Sequence, residues 1–138
     1  MKGNGMTSIS RRRILGLGTA ALLALAAAPA LAAERAAFDR TAFDAAVAAG
    51  GPVLVDVYAP WCSTCRAQSK ALDGLFKAPE YAAYEVFVVD YDSEKDVMRS
   101  FGASQRSTLI VFSGGSEKGR IVGDTSPAAI EGLLRAGL

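Results

Sequence analysis

The two cysteines of this 138-residue chain, Cys62 and Cys65, stand three positions apart, and the chain has no histidine. Tetrahedral zinc needs four ligands, so a metal held by these thiols would have to bridge two chains. A structural disulfide across two intervening residues closes so small a loop that it removes little entropy from the unfolded chain. The spacing therefore favours a redox-active pair, whose disulfide forms and breaks during the reaction.

The segment before the cysteines is predicted to be a strand, and the segment after them a helix. Residues 53–58 are apolar and β-branched, which is typical of a buried strand. Residues 62–77 carry their apolar side chains at intervals of three and four, which predicts a helix ending near Pro79. The Cys62 thiol then lies at a helix N-terminus, where unpaired amides and the helix dipole favour the thiolate.

The rest of the chain beyond residue 33 alternates in the same way. The patterns predict helices over residues 38–49, 93–101 and 127–136, and strands over residues 84–91, 109–112 and 119–122. Ser93 and Gly102 are expected to cap the second of these helices, and Thr125 or Ser126 the third. Gly114-Gly115 predicts a hairpin. This order predicts an α/β fold whose mixed central sheet is covered by helices on both faces.

Residues 1–32 have the order of an export signal. Arg11-Arg12-Arg13 precedes an apolar stretch over residues 14–28, and the small residues Ala30 and Ala32 suit cleavage after Ala32. The apolar stretch of about 15 residues is shorter than the roughly 20 that span a membrane, although an uncleaved anchor stays an alternative. Residues 10–15 resemble a twin-arginine signal, and an ordinary Sec signal can have a similar basic end. We expect a periplasmic bacterial protein with one folded domain over residues 33–138.

The charge of that domain excludes some kinds of partner. Removing the signal takes four of the 15 basic residues and leaves a net charge of about −3. No run of lysine or arginine remains, so we expect no nucleic-acid partner. We expect a monomer that has no cofactor.

The residues around the cysteines resemble a known family. Residues 53–66, VLVDVYAPWCSTCR, resemble the active-site strand and helix of thioredoxins, and the order of elements over about residues 36–138 resembles the thioredoxin-like fold. Phe101-Gly102, the strand that opens at Thr108, and Gly123 are further matches. The resemblance implies a thiol:disulfide oxidoreductase that reduces or rearranges protein disulfides and is re-reduced by a membrane electron donor.

The resemblance also implies a role for individual residues. Cys62 would attack the substrate disulfide, and Cys65 would resolve the mixed disulfide, leaving a Cys62–Cys65 disulfide. Asp56, inside the apolar strand, matches the buried family aspartate that moves the proton of the second cysteine; a solvent-facing residue is the alternative. Trp61 matches the tryptophan over the active-site rim, where a plain core anchor is the alternative.

The chain departs from the family at two places. Ser63-Thr64 replaces the Gly-Pro between the cysteines, which leaves the redox potential open. Ser107 stands where thioredoxins carry a cis-proline beside the pair, and with Arg106 it would form part of the substrate site. We expect the Ser107 hydroxyl, a free N–H and the charge of Arg106 near the sulfur. These groups would stabilise the thiolate, or the opened site would admit a metal that proline excludes, whereas a serine that merely fills the gap is the alternative.

Two other functions stay open. A disulfide donor would run the same chemistry in reverse, although the chain lacks the histidine that strongly oxidising relatives carry between their cysteines. A non-catalytic protein would use the fold differently, as a dimer holding zinc or an iron–sulfur cluster through two C-x-x-C pairs, or as an assembly factor.

Overall fold

The computed structural model describes residues 33–138, and the predicted export signal lies outside the described residues. The strands are β1 (Arg35–Ala37), β2 (Val53–Tyr58), β3 (Glu85–Asp90), β4 (Thr108–Ser113) and β5 (Ser116–Val122). The helices are α1 (Arg40–Ala49), α2 (Ser63–Leu75), α3 (Lys95–Ser100) and α4 (Pro127–Arg135), with a short 3-10 helix at Pro79–Tyr81. No helix of this part of the chain is long and apolar enough to cross a membrane.

The strands form one mixed sheet in the order β1-β3-β2-β4-β5. β1, β3 and β2 are parallel to one another, whereas β4 runs antiparallel to both β2 and β5. β2 lies at the centre and is buried from Val53 to Val57, which explains its uninterrupted apolar run. The predicted mixed sheet is confirmed, and its central strand leads directly into the cysteine pair.

Each face of the sheet has its own apolar core, because successive side chains of a strand point to opposite faces. Leu54 of β2 packs with Leu72 of α2 and Ile130 of α4 on one face. Val55 belongs to a second core on the other face, with Phe43 of α1 and other side chains of α1 and α3. Full burial of one such side chain stabilises the fold by about 1.5–3 kcal/mol. The prediction of helices on both faces is therefore confirmed.

Two helices begin elsewhere than predicted, and their caps explain why. α1 begins at Arg40 because the carboxylate of Asp39 accepts the N–H of Ala42 at 2.8 Å. The prediction that Ser93 caps α3 is wrong, since its hydroxyl and its N–H both donate to the Asp90 carboxylate, at 2.8 Å each. That bonding forms a turn after β3 and delays α3 to Lys95.

The predicted hairpin and the last helix are confirmed. Gly114 and Gly115 have φ angles of 58° and 81°, a left-handed conformation that glycine adopts without a steric penalty, and they join β4 to β5. Of the two candidate caps of α4, Ser126 is the one used, because its hydroxyl accepts the N–H of Ala129 at 3.4 Å.

Candidate active site

Cys62 occupies the N-cap position of α2. Its sulfur accepts the backbone N–H of Cys65 at 3.2 Å, a bond that serine, threonine or aspartate oxygens usually make at this position. Free N–H groups and the positive end of the helix dipole therefore face the sulfur. Because these groups stabilise negative charge, the helix start favours a thiolate at Cys62.

The hydroxyl of Ser107 lies between the two sulfurs. Its oxygen is 3.3 Å from Cys62 Sγ and 3.0 Å from Cys65 Sγ. Both cysteines are buried free thiols, and Cys65 Sγ lies 3.9 Å from the carbonyl oxygen of Val57. A hydroxyl has one proton to donate and two lone pairs that accept, so Ser107 can donate to a thiolate and accept from the other thiol.

The two thiols differ in acidity. Burial opposes ionisation of Cys62, but hydrogen bonds from Cys65, Ser107 and Arg106 outweigh it and lower the pKa of Cys62 to about 7. Burial raises the pKa of Cys65, and the neighbouring Cys62 raises it further, although the Ser107 hydroxyl acts in the opposite direction. Since the thiolate is the nucleophile, Cys62 is the thiol prepared to attack.

The backbone of Ser107 is held in a left-handed conformation, with a φ of 58°, which costs a residue other than glycine about 1–3 kcal/mol. Its N–H donates to the Val57 carbonyl at 2.8 Å, so the prediction of a free N–H beside the sulfur is wrong. Its carbonyl accepts the N–H of Gly123 at 2.9 Å and the Gln68 side chain at 3.1 Å. These three bonds direct the hydroxyl towards the sulfurs.

Gln68 is a site residue that the sequence patterns do not predict. It is fully buried on α2, and its amide nitrogen also donates to the carbonyl of Asp124 at 2.9 Å. One side chain thus ties α2 to the two loops beside the cysteines. Its position three residues after Cys65 and four before Leu72 places it on the buried face of α2, and a polar residue on such a face was the available signal.

Asp56 is buried in β2, so the solvent-facing alternative is wrong. The residue is 1% exposed, and it shares a sheet face with Leu54, the face that α2 and α4 cover. Burial raises the pKa of Asp56 to about 6, against the lowering effect of the Arg35 charge and hydrogen bond. Arg35 bonds Oδ2, whereas Oδ1 has no hydrogen-bond partner among residues 33–138. A carboxyl with this pKa is a usable base near neutral pH.

Trp61 lies on the rim of the site rather than in the core. It is 55% exposed, which rules out the core-anchor alternative, and its Nε1 donates to Asp92 at 2.8 Å. Its ring meets Tyr91 edge to face, with the centroids 6.1 Å apart. The Arg106 guanidinium lies 5.1 Å from the Trp61 ring centroid, a cation–π geometry. The rim therefore joins an exposed aromatic surface to a positive charge.

A groove of about 250 Å³ runs beside Ser107. Its lining includes Thr64, Tyr91, Arg106 and Val122, the last of which is 48% exposed. The groove is open and carries polar and apolar side chains, which suits an extended peptide rather than an enclosed small molecule. Within the described part of the chain, no group of three or more histidine, cysteine or acidic side chains is placed to hold a metal ion.

This chain is similar in sequence to thioredoxins. The thioredoxin family model matches residues 34–136. Thioredoxin-1 of Saccharomyces cerevisiae is 32% identical over 94 residues, which cover 68% of this chain and 88% of that protein. The thioredoxin of Echinococcus granulosus is 33% identical over 99 residues, covering 71% of this chain and 89% of that protein.

The fold of this chain is also similar to solved structures. A protein named Trxlp from Edwardsiella tarda EIB202 superimposes with a TM-score of 0.69 and 42% sequence identity, covering 72% of this chain and 98% of that chain. A mutant thioredoxin from Halobacterium salinarum NRC-1 superimposes with a TM-score of 0.64, covering 75% of this chain and 90% of that chain. Its identity is 23%, so this second match shows the fold alone.

Proposed function

This chain belongs to the thioredoxin family and is a thiol:disulfide oxidoreductase, and on that premise we propose that it is exported to reduce or rearrange disulfides in periplasmic proteins. Thioredoxins act on protein disulfides, and the groove beside Ser107 suits an extended segment of such a substrate. The Ser107 hydroxyl lies 3.3 Å from the Cys62 sulfur. The observation that carries the proposal is the Cys62 sulfur at the start of α2, where the Cys65 N–H and the Ser107 hydroxyl meet it.

The reaction proceeds in two exchanges. The Cys62 thiolate attacks one sulfur of the substrate disulfide, forms a mixed disulfide and releases the other substrate sulfur as a thiolate. Cys65 then gives up its proton, with Asp56 as the base, and attacks Cys62 Sγ. The second substrate sulfur leaves with the electron pair of the broken bond. The substrate gains two electrons, and the protein is left with a Cys62–Cys65 disulfide.

Ser107 acts in both exchanges. Before the attack its hydroxyl donates to the Cys62 thiolate, which lies 3.3 Å away. Once Cys62 is part of a mixed disulfide it carries no charge, so the hydroxyl can turn its proton to Cys65 Sγ at 3.0 Å. The rotating hydroxyl proton therefore stabilises whichever of the two sulfurs is negatively charged. A proline at this position has no hydroxyl and cannot make these hydrogen bonds.

The direction of electron flow follows from the acidity of Cys62. A strongly stabilised thiolate favours the reduced protein and makes the disulfide a strong oxidant, and such oxidants have thiol pKa values of about 3.5. The pKa of Cys62 is lowered only to about 7, close to the value of about 7 known for reducing thioredoxins. This supports reduction or rearrangement of substrates over donation of disulfides.

Export is supported by the order of residues 1–32, a basic cluster followed by an apolar stretch and small residues at Ala30 and Ala32. Cleavage after Ala32 would keep all the residues that the family model matches, which begin at residue 34, and it would keep β1, which begins at Arg35. Since the periplasm is kept oxidising, the protein needs a membrane electron donor to regenerate its dithiol. We further propose that it works as a monomer.

Two assays test this function. Reduction of insulin by the purified protein, with dithiothreitol as the electron source, should be clearly faster than with dithiothreitol alone. Equilibration with reduced and oxidised glutathione, read as the mass difference of two hydrogens, should give a midpoint more reducing than that of glutathione. A more oxidising midpoint without insulin reduction would indicate a disulfide donor. A metal-dependent absorption spectrum without either activity would indicate the non-catalytic alternative.

A further inference from the structure

An ion pair joins Arg35 of β1 to the buried carboxylate of Asp56 in β2. The strand β3 lies between these two strands in the sheet. Arg35 of β1 lies opposite Val86 of β3, which lies opposite Leu54 of β2. In-register neighbours of parallel strands share a face, so the Arg35 side chain projects from the face that carries Asp56. Its guanidinium bonds Oδ2 of Asp56, although the two residues are 21 positions apart in sequence.

The position of the Arg35 side chain is fixed from two sides. Its guanidinium lies 5.8 Å from the centroid of the Tyr58 ring, and its side chain is 23% exposed, against 1% for Asp56. Arg35 therefore connects a fully buried charge to the solvent edge. Because it occupies only Oδ2, Oδ1 stays without a protein partner among residues 33–138 and is open to a proton.

Few other groups can set the charge of Asp56. Its partners in register are Val88 of β3 and Leu109 of β4, both apolar. The helix α2 covers the same face, and Cys65 lies on the buried side of that helix. Within the described residues, Arg35 is the charged side chain that acts on this carboxyl. Burial raises the pKa of Asp56 to about 6 even with the cation in place, so loss of the cation would raise it further.

We propose that Arg35 is a positioning residue for the second exchange, holding Asp56 in place and ionised so that it can accept the proton of Cys65. The proposal rests on the proposed function. The proton passes from Cys65 to Asp56, the Cys65 thiolate attacks Cys62 Sγ, and the electron pair of the broken bond leaves with the substrate sulfur. Arg35 touches none of the sulfurs and acts only through Asp56. The edge strand β1 is thus part of the active site's proton chemistry.

The test measures the second exchange alone, as release of a fluorescent thiol from a mixed disulfide preformed on Cys62, between pH 5.5 and 9. Loss of a neighbouring opposite charge raises a carboxyl pKa by roughly one to two units. Arg35→Met should therefore be about two- to tenfold slower than wild type at pH 7 and within about twofold at pH 9. Arg35→Lys should keep the wild-type profile, since it keeps the charge.

Two controls separate this role from a structural one. Arg99→Met removes an exposed arginine that pairs with Asp96 on α3, and it should leave the profile unchanged. In an Asp56→Asn background, Arg35→Met should have no further effect on the rate, because the group through which Arg35 acts is gone. If Arg35→Met does not fold, Arg35→Gln takes its place in the same comparison.

The outcomes are distinguishable. Three results would each overturn the proposal. Arg35→Met could have the wild-type pH profile, or its rate could be lower by the same factor at every pH. Alternatively, Arg35→Met could slow the exchange equally in the Asp56→Asn background. Failure of the proposed function would instead show in the wild-type protein, which would not reduce insulin or would form no mixed disulfide through Cys62.

Discussion

Replacing Asp56 by asparagine should change the stability of the fold in a way that depends on pH. Burial raises the pKa of Asp56 from its ordinary 3.8 to about 6, against the lowering effect of Arg35. The folded protein therefore holds this proton more tightly than the unfolded chain does. Stability contributed by this group is complete below about pH 4 and is lost as the pH rises towards 6 and above.

The magnitude follows from the shift. One pKa unit corresponds to 1.36 kcal/mol, so ionised Asp56 destabilises the fold by about 3 kcal/mol at pH 7.5 relative to its protonated form. The asparagine side chain would keep the shape of the aspartate and carry no charge at any pH. The unfolding free energy of Asp56→Asn minus that of wild type should therefore increase by about 3 kcal/mol between pH 3.5 and 7.5. Loss of the partner of Arg35 adds an offset to this difference that does not change across this pH range.

Urea unfolding with reduced cysteines, followed by circular dichroism across this pH range, gives the two free energies directly. Asp44→Asn is the matched control, because Asp44 is an exposed carboxylate on α1 and its difference curve should stay within about 0.5 kcal/mol of flat. A flat Asp56→Asn curve, or one that decreases as the pH rises, would show that this carboxyl is not a buried base.

Further predictions concern the serine between the sulfurs and the start of the mature chain. Ser107→Ala should raise the pKa of Cys62 by about one unit, seen as a shift in the pH dependence of iodoacetamide alkylation, because the thiolate loses a charge-assisted hydrogen bond. Ser107→Pro removes both the hydroxyl and the N–H that donates to the Val57 carbonyl. If this variant keeps the wild-type activity, thiol pKa and metal content, this position has no special function. N-terminal sequencing of the native protein should begin at Ala33, in the fraction outside the cytoplasm. An intact chain from Met1 in the soluble cell fraction would contradict export.

The parts of the fold that could be predicted are those that bury a regular apolar pattern. β2 is buried on both faces, so its residues are apolar without interruption, and α2 shows helical spacing because one side of it packs on the sheet. β1 was missed because three residues, of which only Arg35 is partly buried, are too few to show any alternation. The Arg35–Asp56 pair was missed with it, since no local pattern links residues that are 21 positions apart.

The departures at the active site have a similar cause. That Ser107 lies close to the cysteines could be anticipated from its place in the chain, but its N–H bond to Val57 depends on a left-handed backbone that serine rarely adopts. The role of Gln68 could not be predicted because its partners are backbone carbonyls of two loops. Every residue has a backbone carbonyl, so the residue types in a sequence do not identify such partners.

The assignment of Cys62 as the attacking thiol and Cys65 as the resolving one is tested most directly by trapping. Cys65→Ser and Cys62→Ser are each mixed at neutral pH with a peptide that contains one disulfide, and intact mass spectrometry follows the adducts. Cys65→Ser should accumulate a stable mixed disulfide through Cys62, because no second thiol remains to release the peptide. Cys62→Ser should form almost none, since burial raises the pKa of Cys65 and keeps it protonated. Equal adducts in the two variants, or an adduct only through Cys65, would contradict the mechanism.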